Sequence, residues 1–178
     1  MVVEGSREER LEFAKHFERA QGWLALDKFD EAERSLGRIP AVFQARPEVL
    51  LVRGQLHLNA AQWAQAEPVL RQLLGLDDTE AQYWVNLAFV VRRAKSIQDA
   101  EPILLEARGR FPAVGLIWYN LACYASQQGR LKEAHDLLRE ALRLEPDLME
   151  NAKQDPDLGP YWQGLALGED AGGDAERR

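Results

Sequence analysis

The sequence predicts an all-α protein built as a stack of antiparallel helix pairs, and three observations predict it. Ala32, Ala66, Ala100 and Ala134 stand 34 residues apart. A bulky residue lies three positions before each alanine (Phe29, Trp63, Ile97, Leu131), and a leucine lies four positions after each (Leu36, Leu70, Leu104, Leu138). A small residue stands twelve positions before each: Ala20, Gly54, Ala88 and Ala122. A fixed interval of this length marks a stacked repeat, because one helix pair cannot bury its apolar face alone and shares it with a neighbour.

The elements follow in order. Ser6 and Glu9 have capping-box spacing ahead of a helical pattern that runs to about Leu26. Four units are then expected at 13–46, 47–80, 81–114 and 115–148, each with two helical halves around a short polar turn. The turns read LDKF, NAAQW, AKSI and QGRL, and only the last holds a glycine, Gly129. Ser96 and Asp99 open the second helix of the third unit. Pro112 and Pro146 close the third and fourth units. Pro68 and Pro102 are expected near the first turn of a second helix, where a missing N–H costs least. Gly54, Ala88 and Ala122 are expected to meet the alanines of their own second helices, since backbones approach closely only where side chains are small.

The first two units depart from the pattern. Arg19 and Arg53 stand where later units have Leu87 and Leu121, His16 and His57 take packing positions, and Gly37 and Pro40 shorten the second helix of unit one. A looser N-terminal end is expected, as terminal repeats are often atypical. After Pro146, residues 147–153 are expected to add a short helix, and Asp155-Pro156 has the chemistry to start another. Tyr161, Trp162, Leu165 and Leu167 give this segment apolar weight. The expected organisation is a single solenoid domain over 1–167 with a cap over 149–167. The polar, glycine-rich tail 168–178 is expected to be disordered.

The third and fourth units carry a recognisable pattern. It reads Trp84, Leu87, Ala88, Ile97, Ala100, Leu104, Ala107, Pro112 and then Trp118, Leu121, Ala122, Gly129, Leu131, Ala134, Leu138, Ala141, Pro146. This resembles the tetratricopeptide repeat family, over about 136 of the 178 residues. The resemblance implies a right-handed α-solenoid whose first helices line a concave groove where ligands bind. It is specific for fold and weak for function, because the family binds many unrelated partners.

Composition narrows the rest. The chain is 46% hydrophobic and 29% charged, ordinary for a soluble protein. A net charge of −7 makes nucleic acid a poor partner. The first ten residues have no apolar signal region, and no apolar run approaches a membrane span. A lone cysteine, Cys123, cannot pair internally, which fits a reducing compartment, and a cytoplasmic protein is expected. No histidine pair has metal-helix spacing, and neither a phosphate loop nor a nucleophile elbow occurs. No cofactor, metal or catalytic activity is expected. A redox role for Cys123 beside Arg92 and Arg93 is the weaker reading against a small packing residue.

A binding function has a clearer origin. In each first helix the packing residues form one stripe, such as Trp84, Leu87, Ala88 and Val91, and an ordinary amphipathic helix is polar opposite it. Here the opposite side carries Phe17 and Leu24, then Leu51, Val52 and Leu58, then Val85 and Phe89, then Tyr119 and Cys123. An exposed apolar face of this kind has a purpose. Phe17, Leu51, Val85, Phe89 and Tyr119 are the expected anchors for a protein or peptide partner. Asn86 and Asn120 are expected to meet its backbone, and Arg92 and Arg93 an acidic feature. The competing expectation is that the face packs internally or that the C-terminal segment folds over it. The alternatives in function are a self-associating module and a small secretion-type chaperone for apolar client segments. The expected state is a monomer or weak homo-oligomer.

Overall fold

The computed structural model describes residues 5–167, and the tail expected to be disordered, 168–178, lies outside the described residues. The described residues form ten α-helices and no strand. In chain order these are α1 (Arg7–Ala25), α2 (Phe29–Gly37), α3 (Pro47–Asn59), α4 (Trp63–Leu76), α5 (Ala81–Ala94), α6 (Ile97–Arg110), α7 (Gly115–Gln127), α8 (Leu131–Leu144), α9 (Leu148–Gln154) and α10 (Gly159–Ala166). The 34-residue interval is therefore physical: α3, α5 and α7 open at 47, 81 and 115. The chain divides after Lys95 into two compact units.

The first unit holds α1 to α5. Its entry is fixed by the expected capping box: Ser6 Oγ accepts from the Glu9 N–H at 3.2 Å, and Glu9 Oε2 accepts from the Ser6 N–H at 2.7 Å. Ala20, Ala32, Leu36, Ile39, Phe43, Val49, Val52 and Leu56 form a buried cluster. Helix α2 has 9 residues against 14 in α4, as Gly37 and Pro40 predict. The chain then runs through a 3-10 turn, Ala41–Phe43. Three of the polar replacements in this unit, Arg53, His16 and His57, have partners, although His16 Nδ1 and Arg53 Nε are buried without a hydrogen bond. Gln44 donates its amide to the carbonyls of Leu36 (2.8 Å) and Ile39 (2.7 Å), at the end of the shortened helix. Its side-chain oxygen accepts from Arg53 Nη2 at 2.7 Å, so the arginine at a leucine position has a partner ready. His16 and His57 are buried, bound to Glu12 and Gln62 respectively.

Two expectations about this packing need correction. A Cβ at Gly54 would lie 2.9 Å from Leu70 Cδ2, so the glycine makes room for Leu70 rather than Ala66. Pro68 and Pro102 are the sixth residues of α4 and α6, in the second turn rather than the first. Both are solvent-exposed.

The second unit holds α6 to α10. Helices α7 and α8 bury Leu121, Ala122, Tyr124, Ala134, Leu138 and Ala141. Gly115 opens α7 so close to α8 that a Cβ would lie 2.9 Å from the Ala141 carbonyl oxygen. Glu145 Oε1 accepts from the Gly115 N–H at 2.7 Å and supplies the helix start that the sequence there lacks. Asp155 accepts from the Asp157 N–H at 2.9 Å and starts a 3-10 turn, Pro156–Leu158, before α10.

Three of the four turns inside the helix pairs share a conformation. Asp27 (φ 54°), Ala61 (φ 54°) and Gly129 (φ 73°) are left-handed and stand on the 34-residue register. Lys95, at the same register in the third turn, is not (φ −134°). The division between the units falls at this turn.

Candidate functional site

The candidate site is the outward side of the first helices, and the two units treat it differently. On α5, the stripe Trp84, Leu87, Ala88 and Val91 is buried, and so is Val85 from the opposite side. Phe89 is 37% exposed, and Leu51 on α3 is 36% exposed. Phe89 is not isolated. The Trp63 ring meets it edge-on at 5.5 Å and 82°, and the Arg93 guanidinium sits over it at 5.3 Å from the ring centre. Both arrangements are favourable for an aromatic quadrupole, and they hold Phe89 in a fixed place at the surface. Arg93 makes no ion pair among the described residues, while Arg92 is half-buried and already engaged. Asn86 accepts from Gln82 Nε2 at 2.8 Å through its side-chain oxygen.

Phe17 belongs to the core more than to an open face. It is half-buried on α1, stacks on Phe13 at 5.3 Å and packs against the buried cluster of the first unit.

On α7 the same face is closed. Tyr119 is 7% exposed and Cys123 3%. The Tyr119 hydroxyl donates to Asp155 Oδ2 at 2.7 Å, and Cys123 Sγ lies 3.7 Å from the same oxygen. Gln127 Nε2 donates to the Asp157 carbonyl at 2.9 Å, and the Tyr161 N–H donates to Ser126 Oγ at 3.1 Å. The cap therefore covers α7, which corrects the expectation that Tyr119 stands open to a partner. Burial first, and then the bond to Asp155, push the Tyr119 phenol well above the usual tyrosine range. Asn120 is also committed, donating to the Leu116 carbonyl of its own helix at 2.8 Å.

Sequence reasoning missed Trp63 and Asp155. Trp63 carries the bulky-residue signal before Ala66, which reads as packing. Asp155 reads as a helix cap, which it is, with one oxygen left over for Tyr119.

Residues 115–148 match the family model described as tetratricopeptide repeat. Residues 115–148 are a tetratricopeptide repeat, in a chain with the fold of a tetratricopeptide-repeat solenoid. Among solved structures, a crystal structure of MamA protein is similar at a TM-score of 0.75 and 18% identity, covering 90% of this chain and 86% of that one. MamA from residue 41 to its end, from Desulfovibrio magneticus RS-1, gives 0.67 and 17%, covering 92% and 97%. Pseudomonas aeruginosa PilF gives 0.63 and 16%, covering 95% and 80%. At these identities the likeness is one of fold. No curated protein sequence matches the chain.

The tetratricopeptide-repeat fold is that of a protein–protein interaction scaffold in general. Among the described residues, no helix is long and apolar enough to cross a membrane. No group of three or more metal-ligating side chains is gathered among them.

Proposed function

We propose that this protein is a non-enzymatic, cytoplasmic scaffold that binds a peptide or helical segment of a partner on the first-helix face of its first unit. The observation that carries the reading is Phe89, a large aromatic residue held at the surface between Trp63 and Arg93. Leu51 on α3 adds a second exposed apolar residue. Covering such side chains contributes about 1.5–3 kcal/mol each, and a few anchors suffice for specific peptide binding. Arg93 favours an acidic neighbour in the ligand.

The covered face of α7 supports the same reading. On the 34-residue register, Val85, Phe89 and Arg93 correspond to Tyr119, Cys123 and Gln127. In the second unit these positions meet the cap turn around Asp155 and Asp157. A first-helix face of this chain thus already holds a short acidic segment, and the first unit offers the equivalent positions with a cation added.

The test is affinity capture from a native cell extract with wild type and with Phe89→Ser/Arg93→Glu. A partner retained by wild type and lost by the folded variant supports the reading. Equal capture by both moves the binding surface away from this face.

Self-association is the second reading, favoured by Trp23 (37% exposed) on α1 and Leu26 (65% exposed) just after it. Light scattering over a concentration series decides it, since a concentration-independent monomer rules it out.

A further inference from the structure

Trp84 and Trp118 hold the same place in successive repeats, and each indole donates to a carbonyl six residues upstream: Trp84 to Asp78 at 3.3 Å, Trp118 to Pro112 at 2.9 Å. Their surroundings differ. Trp84 is 8% exposed. Trp118 is half-buried and lines a pocket of about 670 Å³ in the second unit, with Leu131, Leu137, Arg108 and Lys132. That volume falls in the range of sites that hold a small ligand or an inserted side chain.

The charges around this pocket are unevenly matched. Its two carboxylates are occupied: Glu133 by Arg130 at 2.6 Å, and Asp136 by Arg139 at 3.3 Å. Arg108 lies over the Trp118 ring at 5.2 Å from its centre. Neither Arg108 nor Lys132 makes an ion pair among the described residues. The unmatched charge is therefore positive, in a chain whose net charge is −7. Neither cation is part of the repeat pattern. One register back, Arg108 and Lys132 correspond to Leu74 and Gln98, and two registers back to Pro40 and Ala64.

We propose that this pocket is a second binding site, taking an acidic peptide that seats an apolar side chain against Trp118, Leu131 and Leu137 and places a neighbouring carboxylate on Arg108 and Lys132. The site goes beyond the first-helix face and uses none of its residues. An arginine stacked on an indole is already ordered, so less freedom is lost when it binds a carboxylate. The apolar wall beside it lowers the local dielectric and strengthens that pairing.

The test uses the full chain, labelled with nitrogen-15, and the blocked peptide acetyl-Asp-Phe-Asp-amide at millimolar concentration. The chain has five tryptophans, and the Trp118 indole resonance is assigned through Trp118→Phe. The expected result is a saturable shift of that resonance and affinity about fivefold weaker for acetyl-Asn-Phe-Asn-amide. In Arg108→Gln/Lys132→Gln this preference is expected to be lost. The Phe89→Ser/Arg93→Glu variant is expected to respond like wild type, which separates this site from the first-helix face. An unmoved Trp118 resonance overturns the proposal, and so does equal affinity for the two peptides. It also falls if the response disappears in Phe89→Ser/Arg93→Glu, because the peptide then sits on the first-helix face.

Discussion

The Tyr119 hydroxyl donates to Asp155 at 2.7 Å, joining residues 36 apart in the chain. The bond fastens the cap to α7 and keeps Tyr119 buried. Because burial and Asp155 raise the Tyr119 pKa in the folded state, its contribution to stability is present in full below the unfolded value of about 10 and is lost as pH rises beyond it. Tyr119→Phe removes this dependence and leaves Asp155 Oδ2 only the weak Cys123 thiol donor at 3.7 Å. Urea titrations are expected to show a loss of about 1–3 kcal/mol at pH 7, and a shallower decline than wild type above pH 10.

Ala61 and Gly129 test the turn geometry in opposite directions. Both are left-handed, at φ 54° and 73°. A Cβ there costs roughly 1–2 kcal/mol. Ala61→Gly is expected to raise stability by about 1 kcal/mol and Gly129→Ala to lower it by a similar amount. Chemical denaturation of the two variants checks the pair, and like-signed changes would refute the shared conformation.

Glu67 gives an acid-side prediction. Its carboxylate accepts from Lys95 Nζ at 2.8 Å and pairs with Arg71 at 2.9 Å. The hydrogen bond from Lys95 is the main cause that lowers its pKa below the usual 4.5. A lowered folded pKa gives stability that is present above the unfolded value and lost as pH falls through the folded one. Lys95→Met is therefore expected to lower the melting temperature at pH 7 and to have little effect near pH 3. A difference that persists unchanged at pH 3 would contradict the pairing.

Gly115 and Gly22 separate close approach from helix propensity. A Cβ at Gly115 would press on the Ala141 backbone, which cannot swing aside, whereas nothing lies within 4 Å of a Cβ at Gly22. Gly115→Ala is expected to destabilise by about 1–3 kcal/mol. Gly22→Ala is expected to stabilise by up to about 1 kcal/mol. Thermal melts of the two variants read this directly.

Much of the helical framework is legible in the sequence because it rests on local chemistry repeated at one interval. The alanine register, the Ser6 box, the shortened α2 and the Asp155 cap each follow from a few neighbouring residues. The candidate site is less legible because its state depends on distant packing. Tyr119 and Phe89 both carry the signal of an outward apolar residue, yet a turn 36 residues away covers the first, and the second is 37% exposed. Asn86 and Asn120 read as free amides, but each already bonds a neighbour four residues away on its own helix. Trp84 and Trp118 share a register, and only the structure distinguishes the buried indole from the one that lines a pocket.

Panning a library of random peptides of about twelve residues against the immobilised full chain tests most directly whether the first-helix face of the first unit is the binding surface. Selected peptides are then measured on wild type and on Phe89→Ser/Arg93→Glu. The expected result is a shared pattern of apolar residues beside Asp or Glu, with affinity reduced at least about tenfold on the variant. Peptides that bind the folded variant as tightly as wild type would contradict the proposed surface.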